Sequence, residues 1–217
     1  MRYQVLSRTL IACVLTFSPP AAFAGAQLYE PLSASVRAAL TKAIADQAVP
    51  YLAFENEQEA RAWLLAMSSR LARRIPDRIV REELLTTIHY EAKRAGLDPQ
   101  MVLGLIQVES AFKKYAVSSA GARGFMQVMP FWINVIGGGG EHNLFHMRTN
   151  LRFGCVILRH YLDIEKGDLY RALGRYNGSL GRPEYPNIVL AAWRGTWHDP
   201  VQTIQAGKTG KTLATTM

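Results

Sequence analysis

Apolar residues recur every three to four positions along most of this chain, the spacing that places them on one face of a helix. Val36, Leu40 and Ile44 predict a helix over 33–47. Ala60, Trp63, Leu64, Met67 and Leu71 form the apolar stripe of a second, over 56–74, with Asn56 as N-cap and Glu59 three residues on, as in a capping box. Pro76 ends it. A third helix runs over 81–95 and is closed by Gly96. Asp98 and Pro99 are an N-cap and a first helical residue, and the helix they open passes Met101, Leu105 and Val108 and ends near Ser110. Residues 111–125, rich in Ser, Ala and Gly, read as an ordered loop. A short helix starts near Pro130, a flexible loop follows at residues 137–140, and further helices are predicted over 150–162, 169–176 and 185–195. No alternating run of strand length interrupts the pattern, so the predicted fold class is all-α, with no internal repeat.

Both ends of the chain depart from this pattern. Arg2 and Arg8 precede a mostly apolar stretch from Thr9 to Phe17; Pro19 and Pro20 follow, and Ala22-Phe23-Ala24 has the small-x-small form of a signal peptidase site. Residues 1–24 are therefore expected to be a signal peptide, and the protein to be exported and periplasmic. The stretch is shorter than the roughly 20 residues that span a bilayer, and no other segment is long and apolar enough to do so. Leu10-Ile11-Ala12-Cys13 also approaches a lipoprotein box, so lipid attachment at Cys13, making an outer-membrane lipoprotein, is the second reading of this segment. The tail 206–217 is small and polar and is expected to be disordered. Residues 25–76 are expected to be an N-terminal helical extension on a core domain spanning residues 77–205.

Charge narrows the partners. The net charge is +8, and residues 1–24 carry two arginines and no acid, so +6 remains once they are removed. A basic exported protein suits an anionic polymer. Nucleic acid is not an expected partner, because no Lys/Arg-rich helix stands out. Cys155 is then the only remaining cysteine; it sits in the apolar pattern Leu151, Cys155, Leu158, Leu162, which makes it a buried, inert thiol rather than a nucleophile.

Three segments concentrate unusual residues: Glu109-Ser110 at the end of an apolar helix, Ser118 to Pro130 reading SSAGARGFMQVMP, and Tyr176-Asn177-Gly178 at the end of another helix. Gly104, Leu105, Ile106 and Val108 surround Glu109 in sequence. An apolar wall and the negative end of the helix dipole both disfavour ionisation, so a carboxyl there tends to keep the proton a general acid needs. Alone, such a Glu would be read as a solvated helix end; the other two segments change that.

Together the segments resemble the soluble lytic transglycosylase (SLT) family, glycan-cleaving enzymes with a lysozyme-like fold. The resemblance runs over about residues 85–195. Its first motif, Glu-Ser followed by A-V-S, is here Glu109-Ser110 with Ala116-Val117-Ser118. Its second, G-A-x-G-[LF]-M-Q-[LVI]-M-P, is Gly121 through Pro130, and its third, A-L-x-x-Y-N, is Ala172-Leu173 with Tyr176-Asn177. An N-x-x-x-G helix start matches at Asn150 and Gly154. Ser179 where the third motif ordinarily has Gly, and Lys113-Lys114 where Asn-Pro is frequent, depart from the pattern without touching a proton carrier.

The resemblance implies a peptidoglycan substrate and one catalytic acid/base, Glu109, with no metal and no cofactor. Ordinary glycosidases use two carboxylates; family members manage with one Glu. It would protonate the oxygen between N-acetylmuramic acid and N-acetylglucosamine, then take the proton of the muramic acid C6 hydroxyl as that oxygen closes onto C1, giving a 1,6-anhydro end. Ser118, Gln127, Met126, Met129, Tyr176 and Asn177 are the expected substrate-binding residues: Ser118 toward an N-acetyl carbonyl, Tyr176 toward the same group or Glu109, Gln127 and Asn177 toward hydroxyls, and the two methionines as apolar walls. Plain core is the competing reading for the methionines. A monomer is expected, with peptidoglycan glycan strands, and cell-wall or secretion machinery, as partners.

Other signals carry less. Glu141-His142 with His146 lacks the H-E-x-x-H form of a zinc site. Asn177 to Gly181 is one residue away from a G-x-S-x-G elbow and has no strand before it. The glycines at 137–140 lack the Lys-Ser/Thr of a phosphate loop, and His89 and His160 read as packed or solvated. A goose-type lysozyme-like hydrolase and a non-catalytic glycan-binding or secretion-associated protein remain the two alternative functions.

Overall fold

The computed structural model describes residues 27–137 and 139–199. The expected signal peptide, Cys13 and the tail 206–217 lie outside them. The described chain is all-α: α1 (Ala34–Ile44), α2 (Glu57–Leu71), α3 (Arg78–Arg94), α4 (Pro99–Ser110), α5 (Phe131–Ile136), a 3-10 turn (Glu141–Phe145), α6 (Met147–Ile164), α7 (Leu169–Asn177), α8 (Glu184–Ala192) and a π turn (Trp193–Trp197). Among the described residues there is no strand, only two isolated bridges in the 111–130 loop. No helix among the described residues is long and apolar enough to cross a membrane.

Capping chemistry sets the helix starts. Ser33, Asn56, Asp98 and Asp168 each accept a backbone N–H of the first turn. Asp77 does the same for Ile79 and Val80, so α3 begins three residues before the position expected from apolar spacing. Helix α6 likewise starts at Met147, continuing directly from the 3-10 turn, where polar residues had suggested only loop.

Helix α4 is the axis of the molecule. Ten of its twelve residues are buried, and it is flanked by α3, α8 and the π turn. Gly104 permits the last of these contacts: a Cβ there would stand 2.8 Å from the Trp193 backbone nitrogen. Trp197, fully buried, donates its indole N–H to the Gln107 side chain of α4 at 3.0 Å. Helix α6 packs on α3 and α7 and carries α1 on its outer side. Leu40 of α1 and Trp63, Met67 and Leu71 of α2 belong to the same hydrophobic cluster as the core of residues 77–199, so the extension is packed into the body rather than appended to it.

Two buried groups behave as their surroundings dictate. Cys155 is fully buried, and burial pushes its thiol up, out of nucleophilic range. His89 is also fully buried, stacked on Phe54 at 4.6 Å and edge-on to Trp63 at 4.9 Å. Burial first, and Lys93 second, lower its pKa to about 4, so it is a neutral packing residue at ordinary pH.

Candidate active site

Glu109 occupies the last turn of α4, which stops because Ala111 and Phe112 both take left-handed backbone, φ 50° and 65°. Phe112 is drawn into that conformation by burial of its ring against Trp197, 5.4 Å away. Glu109 is 5% exposed. It accepts a short hydrogen bond from the hydroxyl of Tyr185, in the first turn of α8. Ser110, beside it, donates to the Phe125 carbonyl at 2.7 Å and so ties the Gly-rich loop to the end of α4.

That loop is built by backbone pairing and three side chains. Arg123 and Val128 exchange N–H···O bonds of 3.0 Å in each direction, which makes 123–128 a tight turn with Gly124 and Gln127 in left-handed conformation. Asn150, 1% exposed, donates to the carbonyls of Arg123 (2.8 Å) and Leu144 (2.9 Å) and accepts the Met126 N–H (2.8 Å). Tyr176 donates to the Met126 carbonyl at 2.7 Å. The peptide groups either side of Met126 are thus held by α6 and α7 together.

The remaining expected residues fall at graded depths. Gln127 is 1% exposed and donates its amide to the carbonyls of Gly124 (2.9 Å) and Ala116 (3.2 Å). Met126 and Tyr176 have no exposed surface. In this structure these three sit within the loop's support instead of lining a cleft, because the Gln127 amide and the Tyr176 hydroxyl already pair with backbone and the Met126 side chain is fully buried. Met129 is half-buried. Ser118 is half-buried on the outer arm of the loop, where its hydroxyl accepts the Ala122 N–H at 3.0 Å. Asn177 is buried at the end of α7, just before the left-handed Gly178.

The tyrosine bonded to Glu109 is Tyr185; Tyr176, expected to donate to a substrate N-acetyl group or to Glu109, donates to the Met126 carbonyl. Burial, then the Glu109 carboxylate, push both phenols well above their ordinary value. Both therefore stay neutral donors, and Glu109 is the carboxylate that bears on each. Tyr185 escaped sequence reading because it looks like a core aromatic opening an apolar helix; its place before Pro186, in a first helical turn, was the available signal. Among the described residues no group of three or more His, Cys, Asp or Glu side chains could hold a metal ion.

Comparison with known proteins bears on this same stretch. Residues 86–185, from α3 to Tyr185, match the family model described as the transglycosylase SLT domain. The chain is 50% identical over 48 residues to membrane-bound lytic murein transglycosylase C of Actinobacillus pleuropneumoniae, which covers 22% of this chain and 13% of that protein. It is 32% identical over 99 residues to the transglycosylase of Enterobacteria phage PRD1, covering 46% and 36% respectively. A solved structure of an inactive mutant of the lytic transglycosylase Slt from Pseudomonas aeruginosa aligns with a TM-score of 0.42 and 20% identity over 79% of this chain and 35% of that one. The chain spans well under half the length of these relatives. Residues 86–185, which carry Glu109, the Gly-rich loop and Tyr185, are thus the stretch over which this chain is similar to the transglycosylase SLT domain.

Proposed function

We propose that this protein is a peptidoglycan lytic transglycosylase in which Glu109 is the single acid/base. The observation that carries the reading is the placement of Glu109: nearly buried at a helix end, one oxygen held by Tyr185, inside the SLT-matched segment. As a carboxylic acid, Glu109 protonates the bridging oxygen between N-acetylmuramic acid and N-acetylglucosamine. The bond to C1 breaks, and the substrate's own N-acetyl group shares the positive charge that develops there. As a carboxylate, Glu109 then accepts the C6 hydroxyl proton while O6 bonds to C1. The products are a 1,6-anhydro end and a free hydroxyl on the departing sugar; no water is consumed.

The Tyr185 hydroxyl stabilises the carboxylate between these two transfers, when it is charged and poorly hydrated. Ser118, half-buried on the outer arm of the loop, and Asn177, at the end of α7, are the polar groups that would meet the sugar. The signal-type segment 1–24 supports an exported, periplasmic enzyme, and residues 25–76 are read as a cap that braces the catalytic domain.

Digestion of purified peptidoglycan followed by mass spectrometry tests this. The expected fragments end in anhydro sugars, lighter than reducing ends by two hydrogens and one oxygen. Reducing ends alone would instead make the protein a hydrolase of goose-lysozyme type. Glu109→Gln is expected to abolish lysis while leaving the protein folded; undiminished lysis by that variant removes Glu109 from the role.

A further inference from the structure

Residues 27–30 lie outside the SLT-matched segment, yet they run across it as an ordered strap. The Gln27 side chain, 3% exposed, donates to the Gln127 carbonyl at 3.0 Å and accepts the Met129 N–H at 2.9 Å. Tyr29 packs edge-on against Phe131, with ring centroids 5.6 Å apart. Glu30 pairs with Arg175 of α7 at 2.9 Å. Between the strap and the end of α7 lies a pocket of about 160 Å³, lined by Leu28, Glu30, Tyr161, Arg175, Gly178 and Leu180. Gly178 adjoins Asn177, so the pocket opens at the end of α7 that the functional reading assigns to substrate.

Its lining is chemically specific. Tyr161, only 3% exposed, lines this pocket, and its hydroxyl has no hydrogen-bond partner among the described residues. With no protein partner among them, that hydroxyl is available to donate to a ligand at the pocket. Burial, then the neighbouring Glu30 carboxylate, push the phenol up, so it stays a donor. Arg175 is bonded to Glu30 and Glu165 and has N–H groups beyond those two bonds. Glu30 is an acceptor with half its side-chain surface exposed. Leu28 and Leu180 are apolar walls at the mouth, 64% and 39% exposed. The volume is below the roughly 300–1,000 Å³ of a pocket for a whole small ligand, so it fits a substituent.

We propose that this pocket is a subsite for a methyl-bearing secondary amide carried by the substrate: its carbonyl accepts from Tyr161 and Arg175, its N–H donates to Glu30, and its methyl packs on Leu28 and Leu180. Peptidoglycan holds this group in two places, the N-acetyl of its sugars and the alanyl amide of its stem peptides. The proposal rests on the reading of peptidoglycan as substrate. It adds that a strap from outside the family segment completes the binding surface.

Titration calorimetry on the full chain tests it with three probes: tri-N-acetylchitotriose, the same trimer without acetyl groups, and a sugar-free lactyl-L-alanyl stem peptide. At least one amide-bearing probe is expected to bind. Binding of the acetylated trimer assigns the pocket to N-acetyl, and binding of the peptide alone assigns it to the stem. Tyr161→Phe, which keeps the ring in its packing, and Leu28→Glu, at an exposed position, are each expected to weaken that binding by about five- to tenfold. The pocket is overturned if both variants bind as wild type does, or if the unacetylated trimer binds as well as the acetylated one. It is also overturned if no probe binds to a preparation that releases anhydro products from peptidoglycan. A preparation that neither binds nor cleaves sinks the functional reading, and the pocket with it.

Discussion

Glu109 and Tyr185 are 76 residues apart and meet through a single short hydrogen bond. A hydrogen bond to an ionised group contributes roughly 1.5–3 kcal/mol, and this one acts most strongly when the glutamate is charged. Tyr185→Phe, which keeps the ring, is therefore expected to lower kcat by about 10- to 100-fold with little change in KM; steady-state lysis assays on both proteins check this. Asn150 shows the same logic in a structural role. Its amide holds three backbone groups around Met126, which is why an Asn opening an N-x-x-x-G helix belongs with the loop motif 24 residues earlier.

At the scale of elements, contacts between helices are close enough for single methyl groups to matter. A Cβ at position 154 would lie 2.4 Å from the Met126 sulfur and 2.6 Å from its Cβ. Because the Met126 peptide groups are held by Asn150 and Tyr176, the side chain cannot easily move away. Gly154→Ala in α6 is expected to destabilise the fold by about 1–3 kcal/mol and to reduce activity by displacing the loop; urea denaturation and lysis assays measure the two effects. His89, on α3, yields a pH prediction. Its pKa is about 4 in the fold against 6.5 when unfolded, so between these values the unfolded chain binds more protons. Stability from this group is complete above pH 6.5 and is lost as pH falls toward 4, by about 3 kcal/mol. The difference in stability between pH 7 and pH 4 should shrink in His89→Phe, which thermal unfolding at both pH values would show.

Over the whole molecule, the N-terminal extension is joined to the family segment by charge as well as by packing. Glu91, with a fully buried side chain, is met by Arg152 at 2.9 Å and Arg94 at 3.1 Å. Arg152 also donates to the carbonyls of Ile44 and Asp46, and Arg148 to that of Ala48. The network locks the end of α1 onto α3 and α6. Arg152→Met leaves the buried carboxylate short of its main partner and is expected to cost about 3 kcal/mol, with part recovered in the double variant Glu91→Gln/Arg152→Met, as equilibrium unfolding would show. None of this was legible along the chain, where Glu91 and Arg152 read as ordinary polar positions on amphipathic helices.

Local rules were enough for the all-α class and for most helix starts, while Glu109 as the candidate acid came from the motif segments and the resemblance they carry. Caps, prolines and 3.6-residue spacing act within a few residues of one another, so they can be read in order along the chain. The three motif segments likewise marked which loop and helix ends form the candidate site. Tertiary structure alone decided how those residues divide the work. It brought Tyr185 rather than Tyr176 to Glu109, turned Gln127 and Met126 inward, and placed Gln27 and Glu30 against the family segment. Each of these depends on which polar atoms find partners across distant elements once water is excluded, a pairing that has no local signature in sequence.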